Sequence, residues 1–182
     1  WFSKAEVEEI NDPNAVAVAT SDKKNQPNVR MVLLKGLSDK GFVFYSNFRS
    51  KKGGELKINQ KASMCFHWKS LRRQVRVIGK VEEVTSKEAD DYYNSRPYKN
   101  RISAWASSQS QILDKRETFL NKIKEYEKKY PDENNVPRPP HWSGWRLLPN
   151  EIEFWVDGEG RIHERLNYKN NNGEWEKEIL YP

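Results

Sequence analysis

Glu151-Ile152-Glu153-Phe154-Trp155, then Asp157-Gly158-Glu159-Gly160, then Arg161-Ile162-His163-Glu164-Arg165: how this stretch is read decides the fold. The first five residues have the content of a strand, and the Asp/Gly run has that of a turn. A second strand after the turn would make a β-hairpin. Side chains alternate along a strand, so Arg161, His163 and Arg165 are expected on one face. Two guanidiniums and an imidazole together suit an anionic, aromatic, hydrogen-bonding ligand. Taken alone, the same five residues also read as the solvated face of a surface hairpin, because exposed arginine is ordinary.

Working outward, the chain is punctuated in the same manner. Ser3–Ile10 reads as a short helix stopped by Asn11-Asp12-Pro13. Ala15–Thr20 and Asn28–Gly36 read as strands, and Ser38-Asp39-Lys40-Gly41 as a hairpin turn into Phe42–Ser46. Ser50 is an N-cap candidate for a short helix to about Asn59, weakened by Gly53-Gly54. Ala62–Trp68 and Arg72–Val84 are further strands, with a bulge expected at Gly79. Thr85-Ser86-Lys87-Glu88 is a capping box for a helix to about Ser95, ended by Pro97. A helix from Asp114 carries Phe119, Leu120, Ile123, Tyr126 and Tyr130 at helical spacing. The last third returns to strands, with a turn at Asn170-Asn171-Asn172-Gly173.

Antiparallel strands joined by hairpins, with a few helices between them, predict a mainly β, α+β fold: a closed or partly closed antiparallel barrel. No βαβ pattern and no Gly-x-Gly-x-x-Gly is present, so a nucleotide would be held without the usual glycine loop. The 182 residues suit a single domain with a real core. With 36% hydrophobic and 32% charged residues, the composition is neither that of a disordered chain nor that of a membrane protein. Apolar runs are as short as Met31-Val32-Leu33-Leu34, so no transmembrane helix is predicted. The first residues lack a signal-peptide layout, and one cysteine, Cys65, forms no intrachain disulfide; a cytoplasmic location is expected. The net charge of +6 favours anionic partners, but it is spread along the chain without a polybasic run. Phosphorylated small molecules explain it as well as RNA does.

Several blocks carry chemistry. Arg30 and Lys35 bracket four apolar residues, and, five apart, they are expected on opposite faces of a strand. Ser50-Lys51-Lys52 lies at a helix N-terminus, where free N–H groups and two ammoniums favour an anion. Gln74, Gln109 and Ser110 are neutral donors and acceptors suited to an uncharged ring edge and to hydroxyls. Tyr92, Arg96 and Asn100 are spaced to share one helix face if the helix persists. Each also has an ordinary structural reading: strand ends, surface lysines, a buried aromatic, a charge at a helix end.

In order, Arg30–Lys35, Phe44-Tyr45-Ser46-Asn47, Ser50-Lys51-Lys52, Arg73–Val77, Ser95-Arg96-Pro97, Ala104–Ser110, Ile152–Trp155 and Arg161–Arg165 resemble the pyridoxine (pyridoxamine) 5′-phosphate oxidase family. The likeness runs from about Asn14 to Pro182. It implies an FMN-binding split β-barrel whose clefts are shared by two subunits of a homodimer. It implies FMN contacts by Arg30, Met31, Val32, Leu33, Leu34, Lys35, Tyr45, Ser46, Lys51, Lys52, Gln74, Gln109, Ser110, Trp155 and Arg165. It implies a phosphorylated B6 vitamer held by Lys35, Tyr92, Arg96, Asn100, Arg161, Ile162 and His163, with Arg161 and His163 at the reacting ring. The implied reaction is hydride transfer from the substrate's C4′ to flavin N5, followed by reduction of O2 to H2O2. No metal, nucleic acid or membrane is implied.

The chain departs from the family's pattern in places. Lys51 stands where arginine is usual, Asn100 where serine is, Ile162 where leucine is, and Trp142-Ser143-Gly144 where Trp-Gly-Gly is frequent. The ending Ile179-Leu180-Tyr181-Pro182 replaces the usual Arg-Leu-x-Pro. The flexible N-terminal arm of relatives is expected to lie outside this numbering. Two other readings stand beside the oxidase: a split-barrel FMN protein with another substrate, such as a flavin reductase or related oxidase, which would not need Tyr92, Arg96, Arg161 and His163 together, and a basic nucleic-acid-binding barrel that stacks bases on its aromatics.

Overall fold

The structure, a computed structural model, describes residues 1–182. The elements are α1 (Phe2–Glu8), β1 (Ala15–Ser21), β2 (Pro27–Leu33), β3 (Gly36–Ser38), β4 (Gly41–Asn47), α2 (Lys51–Ile58), β5 (Lys61–Trp68) and β6 (Arg73–Glu83). There follow α3 (Ser86–Asn94), α4 (Tyr98–Ala106), α5 (Arg116–Lys129), β7 (Trp142–Val156), a 3-10 turn (Glu159–Arg161), β8 (Glu164–Asn171) and β9 (Glu174–Leu180). The nine strands form one sheet in the order β2-β1-β5-β6-β7-β4-β3, with β8 beside β7 and β9 beside β8. The pairs β1–β2, β3–β4, β5–β6, β7–β8 and β8–β9 are antiparallel, as hairpin-linked strands must be, and so is the non-consecutive pair β1–β5.

The chain forms two compact units, one of residues 1–44, 55–82 and 146–182, the other of 45–54 and 83–145. The first has its core on one face of the sheet. Val16 and Val18 of β1, Met64 and Phe66 of β5, and Val75 and Val77 of β6 are buried there, at every second position. In the second, Tyr93, Ile102, Ala104, Val136, Trp142 and Trp145 are buried, and α4 packs on α5.

The alternate residues of these strands form the other sheet face. Ala17 pairs with Met31 on one side and Cys65 on the other, and Cys65 pairs with Arg76. Arg76 reaches Glu153 of β7, which pairs with Asn167 of β8. A polar row thus follows small and apolar residues across the sheet.

Three sequence expectations are corrected. The strand expected over 28–36 ends at Leu33, and Gly36–Ser38 is a separate short strand. Lys35 therefore lies off any strand, and its predicted face relative to Arg30 loses its basis. Gly79 is not a bulge: it pairs in regular register with Ala62. A Cβ there would lie 2.0 Å from the Leu148 carbonyl oxygen, so glycine is needed for close backbone approach. The helix that starts at the capping box ends at Asn94, and a new one, α4, starts after Pro97. Tyr92, Arg96 and Asn100 therefore do not share one continuous helix face.

Candidate active site

The loop after β7 overturns the expected second strand. Glu159–Arg161 is a 3-10 turn, Gly160 and Arg161 both have φ of 65°, and β8 begins only at Glu164. Of Arg161, His163 and Arg165, only Arg165 lies on a strand. Gly158 lets the loop close, since a Cβ there would meet the Ile162 carbonyl oxygen at 1.9 Å. Arg161 and Ile162 are exposed at the tip. His163 turns back: its ring lies 4.7 Å from the Trp155 ring, and its Nδ1 is 3.1 Å from Asp157 Oδ1 and 3.2 Å from the Gly158 nitrogen. One ring nitrogen cannot donate to the carboxylate and accept from the amide. The charge-assisted contact is the stronger, so Nδ1–H donates to Asp157. Asp157 Oδ2 in turn takes hydrogen bonds from Arg72 Nε (2.6 Å) and Nη2.

Arg165 stands opposite Trp155 in the β7–β8 register. Its Nε donates to Glu153 Oε1 at 2.9 Å, which drives its pKa further up, and its Nη1 donates to the Tyr181 carbonyl at 3.0 Å. Gln74 shares Arg76's face of β6, two residues before it. Pleat and register thus put Gln74, Trp155 and Arg165 on one face of three neighbouring strands.

On β2 the Arg30–Leu34 block splits by alternation. Met31 and Leu33 are exposed on the face of Ala17. Arg30 points to the other face, where Nη1 donates to Thr20 Oγ1 (2.6 Å) and the Val18 carbonyl (3.0 Å), and Nη2 to Glu55 Oε2 (3.1 Å). Burial works to raise the Glu55 carboxyl, but hydrogen bonds from Thr20 and Asn28 and the Arg30 charge outweigh it, and its pKa lies below the usual range. Leu34 is buried, Val32 half-buried and Lys35 exposed.

In the second unit, Ser50 Oγ accepts from the Gly53 nitrogen at 3.3 Å, which caps α2. Lys52 is buried, with Nζ 3.1 Å from Gln109 Oε1 and 3.4 Å from Ser50 Oγ. Two candidates 57 residues apart thus meet at a helix N-terminus. Lys51 and Ser110 are exposed, Ser110 with φ of 69°. The buried Ser46 hydroxyl donates to the Asn47 carbonyl.

Tyr45 stacks on Tyr92 with centroids 4.0 Å apart, and Tyr45 and Trp142 are parallel within 9°. The Arg96 guanidinium lies 4.9 Å over Trp142. Its Nη1 is buried and has no hydrogen-bond partner. Burial lowers the Arg96 pKa, against the opposing influence of Tyr92 and Tyr93. A partly desolvated guanidinium with an unmet N–H is under-compensated, which favours an anion beside it. Asn100 is exposed on α4.

The structure therefore joins Tyr45 with Tyr92, Lys52 with Gln109, Trp155 with His163, and Gln74, Trp155 and Arg165 on one face. Sequence reasoning missed Trp142 under Arg96, Glu55 behind Arg30, Asp157 behind His163 and Glu153 behind Arg165. For Glu153 a signal existed: it precedes Trp155 by two residues, so the two share a strand face.

The profile described as pyridoxamine 5′-phosphate oxidase matches residues 2–130, and that described as the pyridoxine 5′-phosphate oxidase C-terminal dimerisation region matches 142–182. The chain is 60% identical over its whole length to a pyridoxine/pyridoxamine 5′-phosphate oxidase of Pelagibacter ubique, covering 88% of that protein. It is 53% identical to the Agrobacterium fabrum protein of that name, covering 100% of this chain and 89% of that one. Among solved structures, PhzG from Burkholderia lata, in complex with tetrahydrophenazine-1-carboxylic acid, superposes with a TM-score of 0.94 at 29% identity, covering 100% of this chain and 89% of PhzG. A pyridoxamine 5′-phosphate oxidase-related, FMN binding protein from Nostoc punctiforme gives a TM-score of 0.80 at 18% identity, covering 99% of this chain and 95% of that one.

Proposed function

This chain belongs to the pyridoxamine 5′-phosphate oxidase family, with the family's antiparallel split-barrel fold, and on that premise we propose that it oxidises pyridoxine 5′-phosphate or pyridoxamine 5′-phosphate to pyridoxal 5′-phosphate. It is an FMN-dependent enzyme. The residues present fit the cofactor. A buried ammonium at a capped helix N-terminus suits a phosphate monoester, and an amide, an indole and a guanidinium on one sheet face suit a flavin ring edge. When bound, FMN supplies a two-electron acceptor at N5 for hydride from the substrate's C4′, and O2 takes those electrons as H2O2.

The protein's part is positioning and electrostatics. Lys52, with Lys51 beside it, holds the cofactor phosphate, and Gln109 and Ser110 meet hydroxyls. Gln74, Trp155 and Arg165 meet the ring, and so do Tyr45 and Ser46. Met31, Val32, Leu33, Leu34 and Lys35 take the places the family gives them along the cofactor. Arg30 joins them with most of its hydrogen-bonding capacity given to Thr20, Val18 and Glu55, so its role is to hold β2 in place. Arg96, with Tyr92, Asn100 and Lys35, takes the substrate phosphate. Arg161 and Ile162, exposed on their loop, cover the substrate ring. His163, with Nδ1–H given to Asp157, offers Nε2 as acceptor to the hydroxyl or amine on C4′.

The observation that carries the substrate class is the buried, partnerless Nη1 of Arg96. Arg96→Ala is expected to raise KM for pyridoxine 5′-phosphate by roughly ten- to a hundredfold with flavin content unchanged. An unchanged KM overturns the phosphate assignment. The 0.94 superposition on PhzG favours a second reading, a related oxidase of an unphosphorylated ring. Turnover that is indifferent to both Arg96 and the substrate phosphate would select it. We further propose a homodimer, on the match to a C-terminal dimerisation region, and a single FMN-binding domain, on a chain that passes between its two units four times. No helix is long and apolar enough to cross a membrane; the cytoplasm is the location proposed.

A further inference from the structure

Glu153 is 4% exposed, yet it is a carboxylate, near the end of β7. A lone buried carboxylate is costly, and this one is held by two arginines from different strands. Arg76 Nη1 lies 3.1 Å from Oε2, and Arg165 Nε 2.9 Å from Oε1. Each carboxylate oxygen thus has its own guanidinium. Arg165 is caught a second time by the Tyr181 carbonyl at 3.0 Å. With Nε and Nη1 both taken, the fork is fixed in direction, and the Nη2 amino group is left for another acceptor. Asn167, the cross-strand partner of Glu153, is also buried and closes the row on the β8 side.

We infer that Glu153 is a positioning residue that aims the Arg165 guanidinium at the flavin, while Arg76 balances its charge. The inference rests on the reading that Arg165 faces the cofactor, and it adds a residue that touches neither flavin nor substrate. A carboxylate with only a packing role would not need two guanidiniums. Nor would it need to sit two residues from Trp155 on the strand face that carries Arg165. The charge is what matters: an amide in its place keeps the shape but accepts a weaker hydrogen bond from Nε and leaves two arginines uncompensated.

The test is a double-mutant cycle on the refolded apoprotein, with FMN affinity followed by quenching of flavin fluorescence. Arg165→Ala should weaken FMN binding by roughly ten- to a hundredfold, as for a lost charged hydrogen bond. Glu153→Gln should cause most of the same loss, and the double variant should be no worse than Arg165→Ala alone. At saturating FMN, the visible absorption band of the bound flavin should shift the same way in both single variants. It should shift no further in the double. Losses that multiply in the double variant, or Glu153→Gln binding like the parent protein while Arg165→Ala does not, overturn the inference. If Arg165→Ala itself binds FMN normally, the underlying cofactor assignment fails instead. Should Glu153→Gln not fold, Glu153→Asp, which keeps the charge but withdraws it by one methylene, is read in the same cycle.

Discussion

At Lys52 a buried ammonium sits between the Gln109 amide oxygen and the Ser50 hydroxyl. Lys52→Ala should weaken FMN binding by about 1.5–3 kcal/mol, measured by titration of the apoprotein. Arg161 is different, exposed and left-handed at the tip of its loop. Arg161→Ala should stay yellow yet lose roughly ten- to a hundredfold in kcat/KM for pyridoxine 5′-phosphate. A colourless variant would move Arg161 to the cofactor. Tyr93 gives a pH-dependent prediction. It is fully buried, burial pushes its pKa up to about 12, and its hydroxyl donates to the Arg101 carbonyl at 2.9 Å. Unfolded, the phenol ionises near pH ~10, so above that the unfolded chain has released a proton the folded chain keeps. The contribution of Tyr93 to stability is whole below pH ~10 and is lost as the pH climbs towards 12. Tyr93→Phe should therefore flatten the alkaline fall in melting temperature, while a neutral-pH melt shows a cost of about 1 kcal/mol for the missing hydrogen bond.

Elements were legible in the sequence where local chemistry fixes them. The capping box at Thr85–Glu88 forms in full, and Ser50 caps α2. Misreadings came where the backbone does something non-local or rare. Gly79 answers to the Leu148 carbonyl, far away in sequence, so no local signal could reveal it. Arg161 has positive φ, which a strand pattern cannot anticipate, and that single conformation takes it and His163 off the strand that keeps Arg165. Pro97 ends one helix, but proline is also tolerated at a helix start, so α4 begins directly after it. The site's outward donors were legible because their residue types carry the chemistry. The carboxylates Glu55 and Asp157 behind them were not, because pairing between distant segments gives them their meaning; for Glu153 the shared strand face with Trp155 was legible, but its pairing with Arg76 and Arg165 was not. Gly79→Ala should cost about 1–3 kcal/mol or more, lowering the apparent melting temperature well beyond Thr85→Ala, for which about 1 kcal/mol is expected. Equal melting of the two variants would mean that β6 and β7 separate there without penalty.

For the whole molecule, light scattering at micromolar concentration should give the mass of a dimer that holds FMN. A monomer retaining flavin would remove the support that the dimerisation-region match provides. Neither compact unit is a contiguous stretch of chain. The first needs residues 146–182 to complete a sheet begun by residues 1–44, about a hundred residues earlier. At ribosomal speeds of ~5–20 residues per second, β4 waits roughly 5–20 s for its neighbour β7 to be made. Throughout that wait the nascent chain shows an unpaired edge of β4, the strand that carries Val43 and Phe44, both buried in the finished protein. Production of this protein is thus a race between synthesis and aggregation, and slower initiation or a holding chaperone should raise the soluble yield more than any single substitution in the core.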